Sequence, residues 1–531
     1  MKILTAAQMR EVDRLSTERH GIPSAQLMEN AGARFVHILC SRVPDIEKQR
    51  TAVICGKGNN GGDGFVIARL LGERGAKPVV IICGDPSEIH GDAALSLRRL
   101  KKEGGEIIAA RDAAAWAAAK AAIGPASIII DALFGTGMRG GAEGWLAEAI
   151  NDLNRLRDTA RIFAVDIPSG LSADAGDIAG PAIDADVTIT FTAPKMGQLL
   201  YPASEKVGRL VVGAIGSPAS LVEECSNSRV RWLDSSEFAG IRLRRNAGAN
   251  KGNFGHVLVV AGSVGKTGAA VMAGSAALKS GAGLTTVAAP EVCIPVISSY
   301  LPELMTAPLP ATPAGTISPR CLEFSGFTDL LRGKDILAMG PGLTTQSETQ
   351  EFVRAVVGDS PTPLVLDADG LNAFAGRSGE LGQHRTEKCV VTPHPGEMAR
   401  LLNAPTHDVQ RDRLGSAEKA AADLKATVVL KGHQTVIAAP DGRTWINSTG
   451  NPGMAKAGSG DVLTGMVAGI LAQHGKEDWS KAACLAVYLH GLAGDIAAEK
   501  NGEISLMATD IIRAIPGAYA QLIAELDHAE P

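Results

Sequence analysis

Apolar and polar positions alternate in blocks along the chain, and the blocks read as strands separated by helices. Thr5 with Gln8 three residues on forms a capping box, after which Met9, Val12 and Leu15 share one helical face. Short apolar runs follow at 51–55, 78–83, 127–130, 162–165 and 187–190, with helical patterns at 65–74, 91–103, 112–122 and 145–155. Runs so short and so continuously apolar suit strands buried on both faces. The rhythm breaks over 217–250. There Ser217-Pro218 and the polar stretch 223–231 predict a linker, and 242–251 is a cationic, glycine-containing approach to a second unit. From His256 the alternation resumes, with strands at 257–261, 284–288, 335–339, 363–367, 388–392 and 427–431 and helices at 268–280, 460–473 and 479–500. Strands alternating with helices of roughly 10–15 residues predict two α/β domains in series, each a parallel sheet with both faces covered.

Composition narrows the function classes. Of 531 residues 45% are apolar, enough for substantial cores. Lys+Arg 52 against Asp+Glu 57 leaves a net charge of −5, and aromatics are only 4%, so neither a basic field nor a base-stacking surface points to nucleic acid. The eight cysteines include no CxxC pair, and Cys55, Cys83 and Cys389 fall in or beside apolar runs, which predicts buried thiols over a disulfide framework or a zinc site. Arg10, Glu11 and Asp13 interrupt any leader-like stretch, and no run reaches about 18 apolar residues. The expectation is a soluble protein of a reducing, cytoplasmic compartment with no membrane partner.

The glycines concentrate where chemistry is expected. Gly56-Lys57-Gly58-Asn59-Asn60-Gly61-Gly62-Asp63-Gly64 lies between a strand and a helix, where backbone amides attract phosphate. Its G-x-G-x-x-G spacing alone is weak, since a plain tight turn would also satisfy it. Three further strand ends carry polar tips: Asp131 before Ala132-Leu133-Phe134-Gly135-Thr136-Gly137-Met138-Arg139-Gly140, Asp166 before Ile167-Pro168-Ser169-Gly170, and Thr192-Ala193-Pro194-Lys195. A parallel sheet brings its carboxyl ends to one edge, so Asp63, Asp131, Asp166 and Lys195 are expected near one another, suited to acid/base work or to a hard cation held by oxygens. Each Asp alone would more often be a cap or turn former.

These four segments in this order, with the opening LTAAQMREVD, resemble the NAD(P)H-hydrate epimerase domain over 1–216. The resemblance implies a Rossmann-like three-layer fold and a potassium ion held by Asn60, Asp131 and Ser169. It also implies nucleotide contacts from Asn59, Asn60, Gly61, Gly62 and Asp63, from Gly135, Thr136, Gly137, Met138, Arg139, Gly140 and Gly141, and from Asp166. Trp145 stands where many relatives carry tyrosine and is left out of the site. The substrate so implied is a reduced nicotinamide that has gained water, with a hydroxyl on a carbon bonded to the ring nitrogen. Its C–O or C–N bond can open with help from the nitrogen lone pair and reclose on the other face. Asp166 is the candidate for proton transfer, with electrostatic support from Lys195.

A second constellation runs from Asn447 to Gly465. Gly458-Ser459-Gly460 places free amides at a helix start, with Asp461 in its first turn, an arrangement that can stabilise charge in phosphoryl transfer while Asp461 takes the acceptor's proton. Gly262-Ser263-Val264-Gly265-Lys266-Thr267 imitates a Walker loop but has two residues between its outer glycines where four are needed. The GSGD string resembles the ribokinase-like kinases. With Lys251-Gly252, Gly340-Pro341-Gly342, Asp367-Ala368-Asp369, Thr392-Pro393-His394-Pro395-Gly396-Glu397 and Lys431-Gly432-His433, it is similar to the NAD(P)H-hydrate dehydratase domain over 230–526, leaving 217–229 as linker.

That resemblance implies a ribokinase-like α/β fold. Gly283, Gly342, His394 and Asp461 would contact the hydrated nucleotide, and Lys431, Gly432, His433, Gln434, Thr435 and Gly460 the adenine nucleotide. ADP is the implied phosphoryl donor, with Mg2+ accompanying it. The leading expectation is a bifunctional repair enzyme acting on the hydrates NADHX and NADPHX, a homo-oligomer like its relatives. Two alternatives are a vitamin or sugar kinase with a regulatory nucleotide-binding domain, and a non-enzymatic nucleotide-sensing scaffold.

Overall fold

The apolar runs of residues 2–228 form seven strands of five residues each: β1 Thr51–Cys55, β2 Val79–Cys83, β3 Glu106–Ala110, β4 Ile128–Ala132, β5 Arg161–Val165, β6 Val187–Phe191 and β7 Arg209–Gly213. All pair in parallel, in the order β3-β2-β1-β4-β5-β6-β7. The structure, a computed structural model, describes every residue except Arg139, Phe324, Ser325, Glu530 and Pro531. Alternation along β1 shows why the run is apolar throughout. Val53 and Cys55 join a core with Phe35, Phe65 and Leu71, while Ala52 and Ile54 join another with Trp116, Ile129 and Ile150. Helices Ser24–Arg42, Asn59–Glu73 and Gly91–Lys102 supply the first core, Ala113–Ile123 and Gly144–Asn154 the second. The result is the three-layer arrangement expected of buried parallel strands.

The second unit comprises Met1 and Arg229–Pro531. Its strands are β8 Val230–Leu233, β9 His256–Val260, β10 Leu284–Pro290, β11 Met305–Leu309, β12 Ile336–Met339, β13 Leu364–Leu366, β14 Cys389–Val391, β15 Thr427–Leu430, β16 Val436–Ala438 and β17 Thr444–Asn447. They form one sheet in the order β11-β10-β9-β12-β13-β14-β15-β16-β17-β8. Only β16 runs antiparallel to its neighbours. Val257 and Val259 of β9 face a core filled by helices Thr267–Lys279, Ser459–His474, Trp479–Asn501 and Ala508–Ala529, and Leu258 and Val260 face the opposite one.

Several elements differ from the sequence expectation. Residues 217–229 are not a bare linker: helix Ala219–Cys225 lies within them, and its Leu221 and Val222 pack with Leu4, Met9 and Val12 in the first unit. The division between units falls after Ser228. Edge strands β3 and β7 have the partly exposed pattern that a search for continuous apolar runs passes over. The long helix Ser24–Arg42, opened by Pro23, was likewise not anticipated. No described helix is long and apolar enough to cross a membrane. All eight cysteines are free, and burial pushes the Cys83 and Cys389 thiols up to about 12, leaving them unreactive.

Both sheets reverse their winding once, between β1 and β4 in the first and between β9 and β12 in the second. At such a switch point neighbouring loops leave in opposite directions and open a crevice beyond the carboxyl ends. The expected motifs follow β1, β4, β9 and β12. Phe65, fully buried on the helix after β1, couples this crevice to the core. Phe65→Ala is expected to destabilise the first unit by about 3–5 kcal/mol, read as a lower denaturant midpoint for that unit's transition.

Candidate active sites

The first crevice is built by backbone contact. A Cβ on Gly61 would lie 2.0 Å from the Gly56 carbonyl oxygen, and one on Gly56 would lie 1.9 Å from that of Leu133. Only glycine permits the loops after β1 and β4 to meet this way. Asn60 then donates from Nδ2 to the Phe134 carbonyl at 2.8 Å. Asp131, fully buried in β4, accepts from the Ser169 amide at 2.8 Å, the Ser169 hydroxyl at 2.6 Å and the Leu133 amide at 3.2 Å. The Ser169 hydroxyl oxygen in turn accepts from the Phe134 amide at 2.8 Å. Burial lifts the Asp131 carboxyl to about 6 against the pull of these hydrogen bonds.

Asp166 stands at the end of β5 with φ of 62°. Its Oδ1 accepts from Lys195 Nζ at 2.5 Å, the Thr190 hydroxyl at 2.9 Å and the Phe191 amide at 3.3 Å. Gln198 holds the Asp166 carbonyl at 2.6 Å. Lys195 is 1% exposed and also donates to the Thr190 hydroxyl at 2.7 Å and the Phe191 carbonyl at 3.1 Å. For Asp63, the fifth residue of helix Asn59–Glu73, burial first, then the charges of Asp166 and Asp13, push the carboxyl well above the usual range, with Lys195 opposing. Of the four groups expected at this edge, Asp166 and Lys195 are in direct contact, and Asp131 serves the neighbouring loop through Ser169.

The remaining residues of this group fall as follows. Asn59, Asn60, Gly61, Gly62 and Asp63 form the opening turns of the helix, Gly62 facing Met28 and Ala93 of neighbouring helices. Gly135, Thr136, Gly137 and Met138 make a turn closed by the Met138 amide on the Gly135 carbonyl at 3.3 Å, and Gly135 packs against Asn60. Gly140 has positive φ and Gly141 lies against the backbone of Ala179 and Gly180. Arg139 lies outside the described residues.

In the second crevice, helix Ser459–His474 begins at the glycine loop with Asp461 in its first turn. Beneath it Asp367, 1% exposed at the end of β13, accepts from Lys431 Nζ at 2.6 Å and the Thr464 hydroxyl at 2.6 Å. Lys431 leaves β15 and is 3.8 Å from Glu397, and a Cβ on Gly460 would be 3.4 Å from its Nζ. Burial raises Asp461 to about 6, Asp367 adding to the rise and Lys431 opposing it. His394 caps helix Pro395–Leu402, its Nδ1 accepting from the Gly396 amide at 3.0 Å and the Glu397 amide at 3.3 Å. Burial and the Lys431 charge lower its pKa. Lys431, Gly432, His433, Gln434 and Thr435 span the turn between β15 and β16, closed by Thr435 Oγ1 on the Gly432 carbonyl at 3.1 Å. Gly342 follows β12 and abuts Lys266 and Ala269 at the start of helix Thr267–Lys279.

Gly283 does not join this group. It precedes β10, whose first residue pairs with His256 at the start of β9, so it lies at the amino edge of the sheet while Gly342, His394 and Asp461 lie at the carboxyl edge. Its lack of a side chain is explained by packing, since a Cβ would meet the Lys251 carbonyl oxygen at 1.8 Å. Gly268, in the first turn of helix Thr267–Lys279, has open space around it.

A family profile described as YjeF-related protein N-terminus matches residues 24–197, and one described as NAD(P)H-hydrate dehydratase matches residues 257–517. The bifunctional NAD(P)H-hydrate repair enzyme of Moorella thermoacetica is 43% identical over 530 residues, covering 99% of this chain and 98% of that one. The chain belongs to the bifunctional NAD(P)H-hydrate repair enzyme family. Relatives of the same name from Thermofilum pendens and Escherichia coli are 37% and 32% identical, the alignments covering 98% and 99% of this chain and 97% and 95% of theirs. Among solved structures, the Bacillus subtilis ADP/ATP-dependent NAD(P)H-hydrate dehydratase, co-crystallised with ATP/Mg2+, aligns with a TM-score of 0.48 at 33% identity, covering 55% of this chain and 99% of that one.

Sequence reading assigned no role to Asp13 or Asp367. Asp13 closes the LTAAQMREVD segment and Asp367 opens DADGLN, so the signal was a carboxylate in each family-like string. Asp367→Asn removes the closest counter-charge of Lys431 and one of the charges acting on Asp461. The variant is expected to lose about 1–3 kcal/mol of stability in the second unit and to bring the Asp461 titration below 6. Denaturation at neutral pH and carboxyl NMR titration check the two effects.

Proposed function

We propose that residues 1–216 interconvert the R and S epimers of NAD(P)H-hydrate and that residues 230–526 dehydrate the S epimer, with ADP as phosphoryl donor and AMP and phosphate as products. The observation that carries this reading is that one chain, matching a named repair enzyme over 99% of its length, forms two sheets that each have a switch point and an aspartate–lysine pair at the strand ends.

In the first unit Asp166 takes the proton of the substrate hydroxyl as the bond beside the ring nitrogen opens, and returns a proton when the ring closes on the opposite face. Lys195 fixes the carboxylate from its buried side. The loop 59–63 and the turn 135–141 would hold the nucleotide, the helix amides facing its phosphates. Asn60, Asp131 and Ser169 offer only oxygens: one carboxylate, one amide carbonyl whose nitrogen is already spent on Phe134, and one hydroxyl. That set fits potassium, which would supply fixed positive charge beside the nucleotide.

In the second unit Asp461 accepts the proton of the same hydroxyl as its oxygen attacks the terminal phosphorus of ADP and the bond to AMP breaks. Amides at Ser459 and Gly460 and the Lys431 ammonium face the charge that develops on the phosphoryl oxygens. The nitrogen lone pair then expels phosphate and a proton leaves the neighbouring ring carbon, which restores the double bond. Segment 431–435 with Gly460 would hold the adenine nucleotide, and Gly342 and His394 the hydrated one. Among the described residues no three His, Cys, Asp or Glu side chains gather to hold a metal, so Mg2+ would come with the nucleotide phosphates.

Mixing the protein with both epimers and ADP is expected to return the full absorbance of the reduced nicotinamide. Return of only the S fraction would remove the epimerase, and a phosphorylated product that accumulates would mark a kinase instead. Asp166→Asn is expected to abolish epimer interconversion while dehydration of the S form continues. Asp461→Asn should slow dehydration by about 10²–10⁴-fold. Because Asp461 must be ionised to act and burial raises it to about 6, dehydration should fall as pH drops through 6 and level off above it, read from a pH–rate profile.

A further inference from the structure

His490 is a buried imidazole that the mechanism above does not use. It sits in helix Trp479–Asn501, 9% exposed, with Leu489, Gly491, Leu492 and Ala493 buried around it in sequence. An imidazole in such a place costs free energy that an apolar side chain would not. Its Nε2 lies 3.1 Å from the Ser459 carbonyl oxygen. A carbonyl only accepts, so Nε2 carries the proton and donates it. Burial lowers the ring to about 4, which keeps it neutral near pH 7 with that one N–H to give. The same helix holds the loop that leads to Ser459. The Thr449 hydroxyl donates to the Tyr488 carbonyl at 2.8 Å, and Asp495 accepts from the Gly450 amide at 3.0 Å and from Asn451 Nδ2 at 2.9 Å. A Cβ on Gly491 would meet Thr449 Oγ1 at 2.2 Å, so the loop lies directly against the helix backbone.

We propose that His490 is a positioning residue of the second unit's site: by holding the Ser459 carbonyl it aims the Gly460 N–H at the phosphoryl group in transfer. The proposal rests on the dehydratase reading of that unit. Its basis is the planarity of the peptide. The Ser459 carbonyl and the Gly460 amide belong to one rigid trans unit and point in opposite directions across it. Fixing the oxygen therefore fixes the direction of the N–H. Gly460 lies in the first turn of helix Ser459–His474, where amides have no acceptor within the helix and are left to a ligand. Its peptide stands beside the cation of the crevice: a Cβ on Gly460 would be 3.4 Å from Lys431 Nζ and 3.8 Å from Asp367 Oδ2. Donation by His490 also draws electron density to the carbonyl oxygen, and the N–H at the other end of the same peptide becomes a stronger donor. His490 touches no reacting atom in this scheme. It acts through the peptide.

The test compares the full-length wild type with His490→Met, His490→Leu and His490→Gln, following the return of reduced-nicotinamide absorbance from the S epimer and ADP. Methionine and leucine fill the space without a donor, whereas glutamine can place its Nε2–H where the imidazole Nε2–H stands. Both donor-free variants should lose about tenfold or more in kcat, with KM for ADP and for the hydrate unchanged within about twofold. His490→Gln should recover most of that kcat. Urea denaturation of the same samples reports whether the second unit is folded. Unchanged kcat in a folded donor-free variant overturns the proposal, and so does a loss that falls on KM alone. A folded glutamine variant no faster than the methionine one would trace the loss to packing and overturn it as well. If both donor-free variants lack the second unit's unfolding transition, His490 belongs to the fold and the proposal fails. A wild type that does not dehydrate the S epimer would instead remove the dehydratase reading, and the proposal with it.

Discussion

A lysine ammonium sunk beside an aspartate anchors each crevice, and the geometry of both depends on that pairing. Lys195 with Asp166 and Lys431 with Asp367 each contain one member that is 1% exposed. Neither charge could be held at these depths without the other, because an isolated buried ion would be neutralised or would draw in water. The pairs differ in which partner faces the reaction. In the first unit the lysine is the hidden member and the aspartate meets the crevice. In the second the aspartate is hidden, and the lysine faces Gly460 and the phosphoryl-transfer loop. One physical device thus leaves a carboxylate as the more exposed member in one place and an ammonium in the other.

The sheet order makes these pairs possible. Parallel strands deliver all their polar tips to one edge, and the reversal between β1 and β4, or between β9 and β12, opens room there for a nucleotide. Glycines at 56 and 61 let the loops touch through backbone atoms, which fixes the Asn60 side chain within a hydrogen bond of Phe134. The strand ends then lock one another through Asp131 and Ser169. A pocket floor made of such crossed hydrogen bonds has little freedom to rearrange, and electrostatic stabilisation of a transition state needs that preorganisation.

Much of this was legible in the chain. Buried parallel strands are apolar on both faces, so β1, β4, β5, β9 and β12 stand out, and a polar residue directly after such a run marks the crevice edge. Asp131 and Asp166 were readable for that reason, and Asp461 from the glycine loop that opens its helix. Strands with one solvated face, β3 and β7, carry no such signature. Gly283 was misread because a glycine required by close packing against the Lys251 carbonyl looks the same in sequence as one that admits a ligand. Asp367 was passed over for the opposite reason. An acid at a strand end resembles an ordinary capping residue until tertiary packing buries it. The segment 217–229 was polar enough to suggest a linker, yet Leu221 and Val222 alone suffice to dock a short helix.

The pairing of two reactions in one chain follows from their energetics. Water adds to either face of the nicotinamide ring, and the resulting epimers differ only at one carbon, so catalysis of their exchange can do no more than restore an equilibrium mixture. Dehydration coupled to cleavage of a phosphoanhydride has a large drop in free energy and proceeds in one direction. Exchange followed by an irreversible step empties the mixture completely, whichever epimer forms first. The two units therefore need no cooperativity or shared pocket for the chain to clear its substrate; it is enough that exchange keeps pace with dehydration. That makes the speed at which the unreactive epimer is returned decisive.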